Sequence, residues 1–143
     1  MWLPHSFVLF KPKDIVSGDF YFIEPVNAGG SEKRIAVAVA DCTGHGVPGA
    51  FMSIIGYTIL RQALKEKEVT SPALALDYLN RELQMFLRQN QTQANVKDGM
   101  DIIFCTIDKE NNQLSYAGAN NPLWIVSTQQ NLFDQNSDSR NEN

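Results

Sequence analysis

Residues 34–53 read RIAVAVADCTGHGVPGAFMS and contain an apolar segment, a carboxylate and a glycine-rich loop in immediate succession. β-branched residues alternate with alanine from Ile35 to Ala40, which predicts a buried strand. Asp41 follows directly, and a half-buried carboxylate is costly unless a cation, a metal or hydrogen bonds compensate it. Pro48 suits a first helical turn, where its missing N–H is not needed. The stretch therefore predicts a strand that presents Asp41 beside a loop, followed by a helix.

The remaining chain is divided into further strand-like and helix-like segments. Polar turn residues between them include Asn27–Ser31, which predict a hairpin, and Ser71 before Pro72, which predicts a helix start. The first helix is apolar at Phe51 and Ile54 among other positions. The chain begins and ends with predicted strands and has two predicted helices between them. This order predicts an α+β fold in which a helix pair covers an antiparallel sheet. The predicted strands are 6–11, 19–24, 34–41, 101–107, 113–117 and 122–127, and the predicted helices are about 48–66 and 71–89.

Composition excludes several classes of protein. The 143 residues suit one domain with a core, and 12 basic against 16 acidic residues give a net charge of −4. The densest basic run, Lys65–Lys67, contains a glutamate, so no nucleic-acid footprint is present. No apolar run reaches the roughly 18 residues of a membrane span, and the first residues form no signal peptide. We expect a cytoplasmic protein without membrane contact, in which Cys42 and Cys105 are buried reduced thiols.

A second aspartate, Asp19, lies at the start of the strand that precedes the hairpin. A turn centred near residues 29–30 places Asp19 opposite about Ala40, give or take a bulge, so that Asp19 and Asp41 converge at one sheet end. Mg²⁺ and Mn²⁺ prefer such oxygen ligands, and Gly44 allows the backbone to approach an ion closely. Individually, Asp19 could be a surface residue and Asp41 a helix N-cap. Together with the loop, they favour a metal site.

The spacing of Gly44, Gly46 and Gly49 also matches the dinucleotide-binding pattern G-x-G-x-x-G. That fold requires a second parallel strand that ends in an acidic residue about 20 residues further on. Here a second predicted helix follows the first with no intervening strand. A dinucleotide-binding domain is therefore the weaker hypothesis.

Four motifs in order resemble the metal-dependent protein serine/threonine phosphatases of type 2C, and specifically the SpoIIE-like branch of bacterial sporulation and sigma-factor-regulating phosphatases. The resemblance covers about residues 6–127. It implies an antiparallel β-sandwich flanked by helix pairs, with a two-metal site at one end. The motifs are SGDFY at 17–21, AVADCTGHGVPGAFMS at 38–53, DGMDIIFCTID at 98–108 and LSYAGANNPLW at 114–124.

The resemblance also implies a site and a reaction. Asp19 would hold one Mn²⁺ or Mg²⁺ ion, Asp41 would bridge two ions, and Cys42 would contribute its backbone carbonyl. A metal-bridged hydroxide would then hydrolyse phosphoserine or phosphothreonine without a phosphoenzyme. The implied substrate is a phosphorylated regulatory protein of the anti-anti-sigma-factor type.

Other residues near these motifs have two interpretations each. His45 could be a general acid. The family's histidine, however, lies nearer the bridging aspartate, at the position where this chain has Thr43. The alternative is that His45 is a loop residue that hydrogen-bonds to the backbone. Asp98 and Asp101 could add a carboxylate near the metals or serve turn chemistry. Asn120 resembles a residue of the turn beside the family's site and tolerates unusual backbone angles.

The resemblance also implies a second half of the domain, with late aspartates that complete the metal shell, and an upstream sensor module. Residues 128–143 are instead polar and predicted to be disordered. We expect residues 1–127 to be the N-terminal part of a phosphatase domain, with a natural or an introduced truncation left open. The functional alternatives are a phosphatase domain that is inactive as this fragment, or a non-catalytic fragment that binds a partner or forms a homo-oligomer through its unfinished sheet edge.

Overall fold

The computed structural model describes residues 3–12, 15–28, 31–65, 69–90 and 99–126. Four strands in this part of the chain form one sheet, and two helices lie between the second and third strands in sequence. The elements are β1 Phe20–Ala28, β2 Ser31–Cys42, α1 Gly46–Lys65, α2 Pro72–Asn90, β3 Met100–Asp108 and β4 Gln113–Ala119.

The sheet has the order β1-β2-β3-β4, and each neighbouring pair is antiparallel. The predicted α+β class, with an antiparallel sheet and a helix pair, is confirmed. The described residues form a single sheet layer and one helix pair, which corresponds to the incomplete arrangement that was predicted. Because α1 leads into α2, these residues lack the βαβ unit that a dinucleotide-binding fold requires.

The core lies between the sheet and the two helices. Alternate residues of β2, from Ala36 to Cys42, face the helices and are buried, whereas Val39 and Asp41 on the other face are exposed. Phe22 of β1 packs against the ring of Tyr57 at 5.1 Å between centroids. Small side chains on the middle strand allow the helices to approach the sheet closely.

The face of α1 that packs on the sheet combines small residues with large apolar ones. Phe51 and Ile54, two of the apolar positions noted in the sequence, are each 62% exposed. Gly49, Ser53 and Gly56 are buried instead. A Cβ on Gly56 would lie 2.8 Å from Cε of Met100 and 3.2 Å from Cε1 of Phe20, so these side chains would have to shift to accommodate a larger residue.

Two predicted strands are wrong in the part of the chain that the structure describes. Residues 6–11, and residues 122–126 of the predicted strand 122–127, adopt neither helix nor strand conformation. A strand needs a neighbour to complete its hydrogen bonds, and the sheet's edge strands β1 and β4 pair only with β2 and β3. Phe10 nevertheless contacts Tyr21 edge-to-face at 5.8 Å. Residues 127–143 lie outside the described residues.

Asp108, the last residue of β3, organises the turn into β4. Its Oδ1 accepts hydrogen bonds from the N–H groups of Glu110 and Asn111, both at 3.0 Å. Its Oδ2 accepts from Asn111 Nδ2 at 3.0 Å and from Arg34 Nε at 2.9 Å. These bonds, led by those from Asn111, lower the pKa of Asp108 to about 2. The carboxylate form is therefore the one that stabilises this turn.

We expect Asp108→Asn to lower the free energy of unfolding near neutral pH, and the difference from the wild type to vanish in acid. The pKa of Asp108 in the folded chain, about 2, lies below its unfolded value of about 3.9. Its contribution is therefore complete above the unfolded pKa and is lost as the pH falls through the folded pKa. Urea unfolding at a series of pH values measures this.

The matched control for this substitution is Asp77→Asn, at an exposed position on α2. The control is expected to change stability little at any pH. A destabilisation by Asp108→Asn that stays constant down to strongly acidic pH would contradict the assignment.

Candidate metal centre

One end of the sheet collects polar side chains from all four strands. β1 begins there after Asp19, β2 ends there at Asp41 and Cys42, β3 begins there at Met100, and β4 ends there just before Asn120. Antiparallel neighbours place the start of one strand beside the end of the next. Residues far apart in sequence therefore meet at this edge.

The register brings Asp19 opposite Asp41. Ala28 pairs with Ser31 near the hairpin, but an irregularity between Val26 and Ala28 shifts the pairing by one residue. Phe20 therefore pairs with Ala40, and the next positions outward are Asp19 and Asp41. The sequence had placed Asp19 opposite about Ala40, so the bulge accounts for the difference.

The carboxylates of Asp19 and Asp41 lie within hydrogen-bonding distance of each other. Partial desolvation raises the pKa of Asp19, and the hydrogen bond with Asp41 and the negative charge of Asp41 raise it further. Two like charges in one place disfavour joint ionisation. A cation between the carboxylates would remove this penalty.

The third strand contributes Asp101, which is the direct cross-strand partner of Asp41. Asp101 Oδ1 accepts a hydrogen bond from Asn120 Nδ2 at 3.0 Å, and Asn120 has a positive φ of 59°. Asp101 thus lies beside Asp41 and also accepts a turn hydrogen bond, so both interpretations of this residue remain open. Asp98 lies outside the described residues.

The donors at this edge fit a hard divalent cation. Asp19 and Asp41 supply carboxylate oxygens, and the carbonyl oxygens of Cys42 and Gly44 lie against Gly18 nearby. Within the described ranges, no group of three or more His, Cys, Asp or Glu side chains could hold a metal. The carboxylate pair therefore forms only part of a coordination shell.

The thiol of Cys42 is not available to this site. Cys42 is 3% exposed and its alternate neighbours on β2 face the core. Burial raises the pKa of Cys42 to about 12, with further contributions from the charges of Asp41 and Asp19. Because the side chain is buried in the core, only the main chain of Cys42 is suited to act as a ligand at this edge.

The loop after Asp41 is held by backbone geometry. Gly44 and Gly46 have φ values of 94° and 64°, which L residues with a side chain rarely adopt. His45 lies between them, exposed, immediately before α1. Thr43 anchors the loop to the start of β3, because its N–H donates to Gly99 O at 2.9 Å and its Oγ1 accepts from Gly99 N at 3.2 Å.

The family model of stage II sporulation protein E (SpoIIE) matches residues 31–140. The chain belongs to the SpoIIE family. The predicted resemblance to type 2C phosphatases of the SpoIIE-like branch is thereby confirmed. No curated protein matches this SpoIIE-family chain. Neither helix in the described part of the chain is long and apolar enough to cross a membrane.

Solved phosphatase domains share the fold of this SpoIIE-family chain. The SiaA-PP2C domain of Pseudomonas aeruginosa is 29% identical, with a TM-score of 0.64 over 79% of this chain and 42% of that one. The PP2C domain of Bacillus subtilis SpoIIE, with a fragment of its regulatory domain, is 19% identical, with a TM-score of 0.52 over 80% of this chain and 35% of that one. The RsbU and RsbW domains of a Mycobacterium tuberculosis protein are 21% identical, with a TM-score of 0.53 over 75% and 26%. The chain thus spans less than half the length of each structure.

Three polar residues that support the site were not assigned roles in the sequence. Ser17 accepts a hydrogen bond from the N–H of Asp19, Thr43 ties the loop to Gly99, and Ser53 reaches from α1 towards Ser17. Each has a small side chain with a hydroxyl group. The hydrogen bond of Ser17 closes a local turn, and those of Thr43 and Ser53 join separate segments of the chain. No pattern in the sequence distinguishes such residues from ordinary surface serines and threonines.

We expect Gly49→Ala to destabilise the protein although alanine favours a helix. A Cβ on Gly49 would lie 2.7 Å from the carbonyl oxygen of Gly44 and 3.1 Å from Cα of Gly18. Because the clashing atoms are backbone, the displacement should cost towards the upper end of about 1–3 kcal/mol, which exceeds a helix-propensity gain of about 1 kcal/mol. The matched control is Gly99→Ala, because a Cβ there meets nothing within 4 Å. Urea unfolding of both variants tests this, and equal stabilities would contradict the close packing.

We expect Asp41→Asn to abolish Mn²⁺ binding. The free energy of unfolding of the metal-free chain should change by no more than about 1 kcal/mol, and should rise rather than fall. The substitution removes the charge that opposes ionisation of Asp19. Calorimetric titration should show wild-type binding far weaker than micromolar, because two carboxylates and one carbonyl leave the shell mostly water.

Asp77→Asn, on the exposed surface of α2, controls for the loss of one negative charge. A marked destabilisation by Asp41→Asn alone would show that Asp41 is a structural cap. Tight binding of two Mn²⁺ ions by the wild type would contradict our inference that the described residues supply only part of the metal ligands.

Proposed function

We propose that residues 1–127 are the N-terminal part of a metal-dependent phosphoserine/phosphothreonine phosphatase domain of a bacterial signalling protein. The observation that carries this is the meeting of Asp19 and Asp41 at one sheet end, beside a glycine loop, in a chain of the SpoIIE family.

The chain's own residues would hold Mn²⁺ or Mg²⁺ through the carboxylates of Asp19 and Asp41 and the carbonyl of Cys42. When bound, such ions activate water and neutralise negative charge on a transferring phosphoryl group. Asp41 lies centrally, because Asp19, just before β1, is its neighbour on one side and Asp101 is its partner on β3. That placement supports a bridging role for Asp41 and a role for Asp19 towards a single ion.

The loop that contains His45 is the second part of the proposed site. His45 and Gly44 lie between the end of β2 and the start of α1, and the positive φ angles on both sides of His45 determine the course of this loop. An exposed imidazole here could donate a proton to a serine or threonine leaving group. We propose His45 for this role on its position in the loop.

The proposed substrate is a phosphorylated regulatory protein of the anti-anti-sigma-factor type, in the cytoplasm. Support comes from the proteins that share the fold: one structure is of a bacterial stressosome system, and another combines RsbU and RsbW domains. A phosphate on such a protein carries about two negative charges near neutral pH. The acidic site would therefore need bound cations before the substrate could approach.

A second candidate function, self-association without catalysis, is favoured by the sheet face opposite the helices. Tyr21, Val39 and Tyr116 on this face are large and exposed, with Tyr116 at 59%. β1 and β4 also present open edges in the described sheet. An exposed apolar face with open edges promotes pairing with a second copy of the chain.

We expect the 143-residue chain to show little or no Mn²⁺-dependent phosphate release from a phosphoserine protein or from p-nitrophenyl phosphate, and to form a dimer or larger species. In-line attack requires both ions at fixed spacing, and the described carboxylates supply only part of the shell. A phosphate-release assay and size-exclusion chromatography with light scattering measure these properties.

Asp41→Asn separates the two functions. If the wild type binds Mn²⁺ and the variant does not, the phosphatase domain is supported. If the wild type self-associates and binds no Mn²⁺, the second function is supported. A monomer with Mn²⁺-dependent turnover would contradict both the expected inactivity and the expected assembly.

A further inference from the structure

Ser53 is a buried polar residue on the face of α1 that packs on the sheet. Its Oγ lies 2.8 Å from the carbonyl oxygen of Ala50, within the helix, and 3.1 Å from the carbonyl oxygen of Ser17, before β1. The hydroxyl has one proton to donate, which these two carbonyls share. Ser53 therefore connects α1 to the segment that leads into Asp19.

The segment from Ser17 to Asp19 is short and closely packed. Ser17 Oγ accepts a hydrogen bond from the N–H of Asp19 at 2.9 Å. Between them, a Cβ on Gly18 would lie 2.9 Å from the carbonyl oxygen of Gly44 and 3.2 Å from that of Cys42. A displacement of Ser17 would therefore be transmitted to Asp19 and to the loop carbonyls.

Asp19 itself is not held by the sheet. The ladder between β1 and β2 begins with Phe20 and Ala40, so Asp19 lies one residue beyond its last backbone pair. Asp41, in contrast, belongs to β2 and is paired with Asp101 of β3. One carboxylate of the pair is thus positioned by strand pairing, and the other depends on contacts of the segment before β1.

We propose that Ser53 is a positioning residue that sets the separation of the Asp19 and Asp41 carboxylates, and through it the affinity of this edge for a divalent cation. This inference rests on the metal-binding role in the proposed function. Residues behind a metal ligand commonly orient it, and their loss weakens metal binding by about 10- to 100-fold. Ser53 touches neither carboxylate and acts through Ser17.

The experiment compares Ser53→Ala with Thr58→Val in the full 143-residue chain. Thr58 is the matched control because its Oγ1 donates to Ile54 O at 2.7 Å within the same helix, and it is exposed. Two readouts are used: amide hydrogen exchange at Asp19 in the absence of metal, followed by NMR, and Mn²⁺ affinity by calorimetry. Ser53→Thr, which retains the hydroxyl, tests for rescue.

In Ser53→Ala, we expect Asp19 amide exchange to accelerate and Mn²⁺ affinity to fall, the latter by about tenfold. Thr58→Val is expected to leave both unchanged, and Ser53→Thr to restore both. If Ser53→Ala fails to fold, Ser53→Cys makes the same comparison, because a thiol of similar size is a weak donor.

Unchanged exchange at Asp19, or Mn²⁺ affinity equal to the wild type, would overturn the role of Ser53. Equal losses in Ser53→Ala and Thr58→Val would also overturn it, since they would reflect helix stability alone. Absence of Mn²⁺ binding by the wild type would instead contradict the proposed function, so the two failures are distinguishable.

Discussion

The structure at this sheet end has to hold the carboxylates of Asp19 and Asp41 side by side, although each opposes the ionisation of the other. Partial desolvation and the neighbouring Asp41 raise the pKa of Asp19, which shows that the two groups oppose one another in the absence of a cation. The fold nevertheless brings them together through the β1–β2 register. An arrangement that is unfavourable in the metal-free chain and favourable around a divalent cation is the physical argument for the metal centre that we propose for this SpoIIE-family protein.

Close packing of α1 against the sheet supports that arrangement. The buried face of the helix includes Gly49, Ser53 and Gly56, whereas Phe51 is turned outward. Gly49 lies against the backbone of Gly44 and Gly18, so the helix, the loop and the entry to β1 touch through main-chain atoms. Contacts of this kind leave little room for independent movement. The same helix face therefore serves the core and the candidate site.

Much of the fold could be predicted from local pattern. Alternating β-branched residues predicted β2, and Ser71 before Pro72 predicted the start of α2 at the residue where it begins. The apolar segments 6–11 and 122–127 were equally strand-like, but residues 6–11 and 122–126 form no strand. Strand formation depends on a hydrogen-bonding neighbour, and a single segment carries no information about whether that neighbour exists. Periodicity also did not distinguish the outward Phe51 from the buried residues of α1.

The sequence by itself determined the family, through four ordered motifs. It also determined that Asp19 and Asp41 approach each other at one end of the sheet. Only the tertiary structure decided that the two carboxylates are direct neighbours, because a bulge between Val26 and Ala28 shifts the register by one residue. It alone also brought Ser53 to the carbonyl of Ser17. A bulge and a hydroxyl contact between distant segments arise from the packing of whole elements, whereas sequence patterns record only the conformational preferences of neighbouring residues.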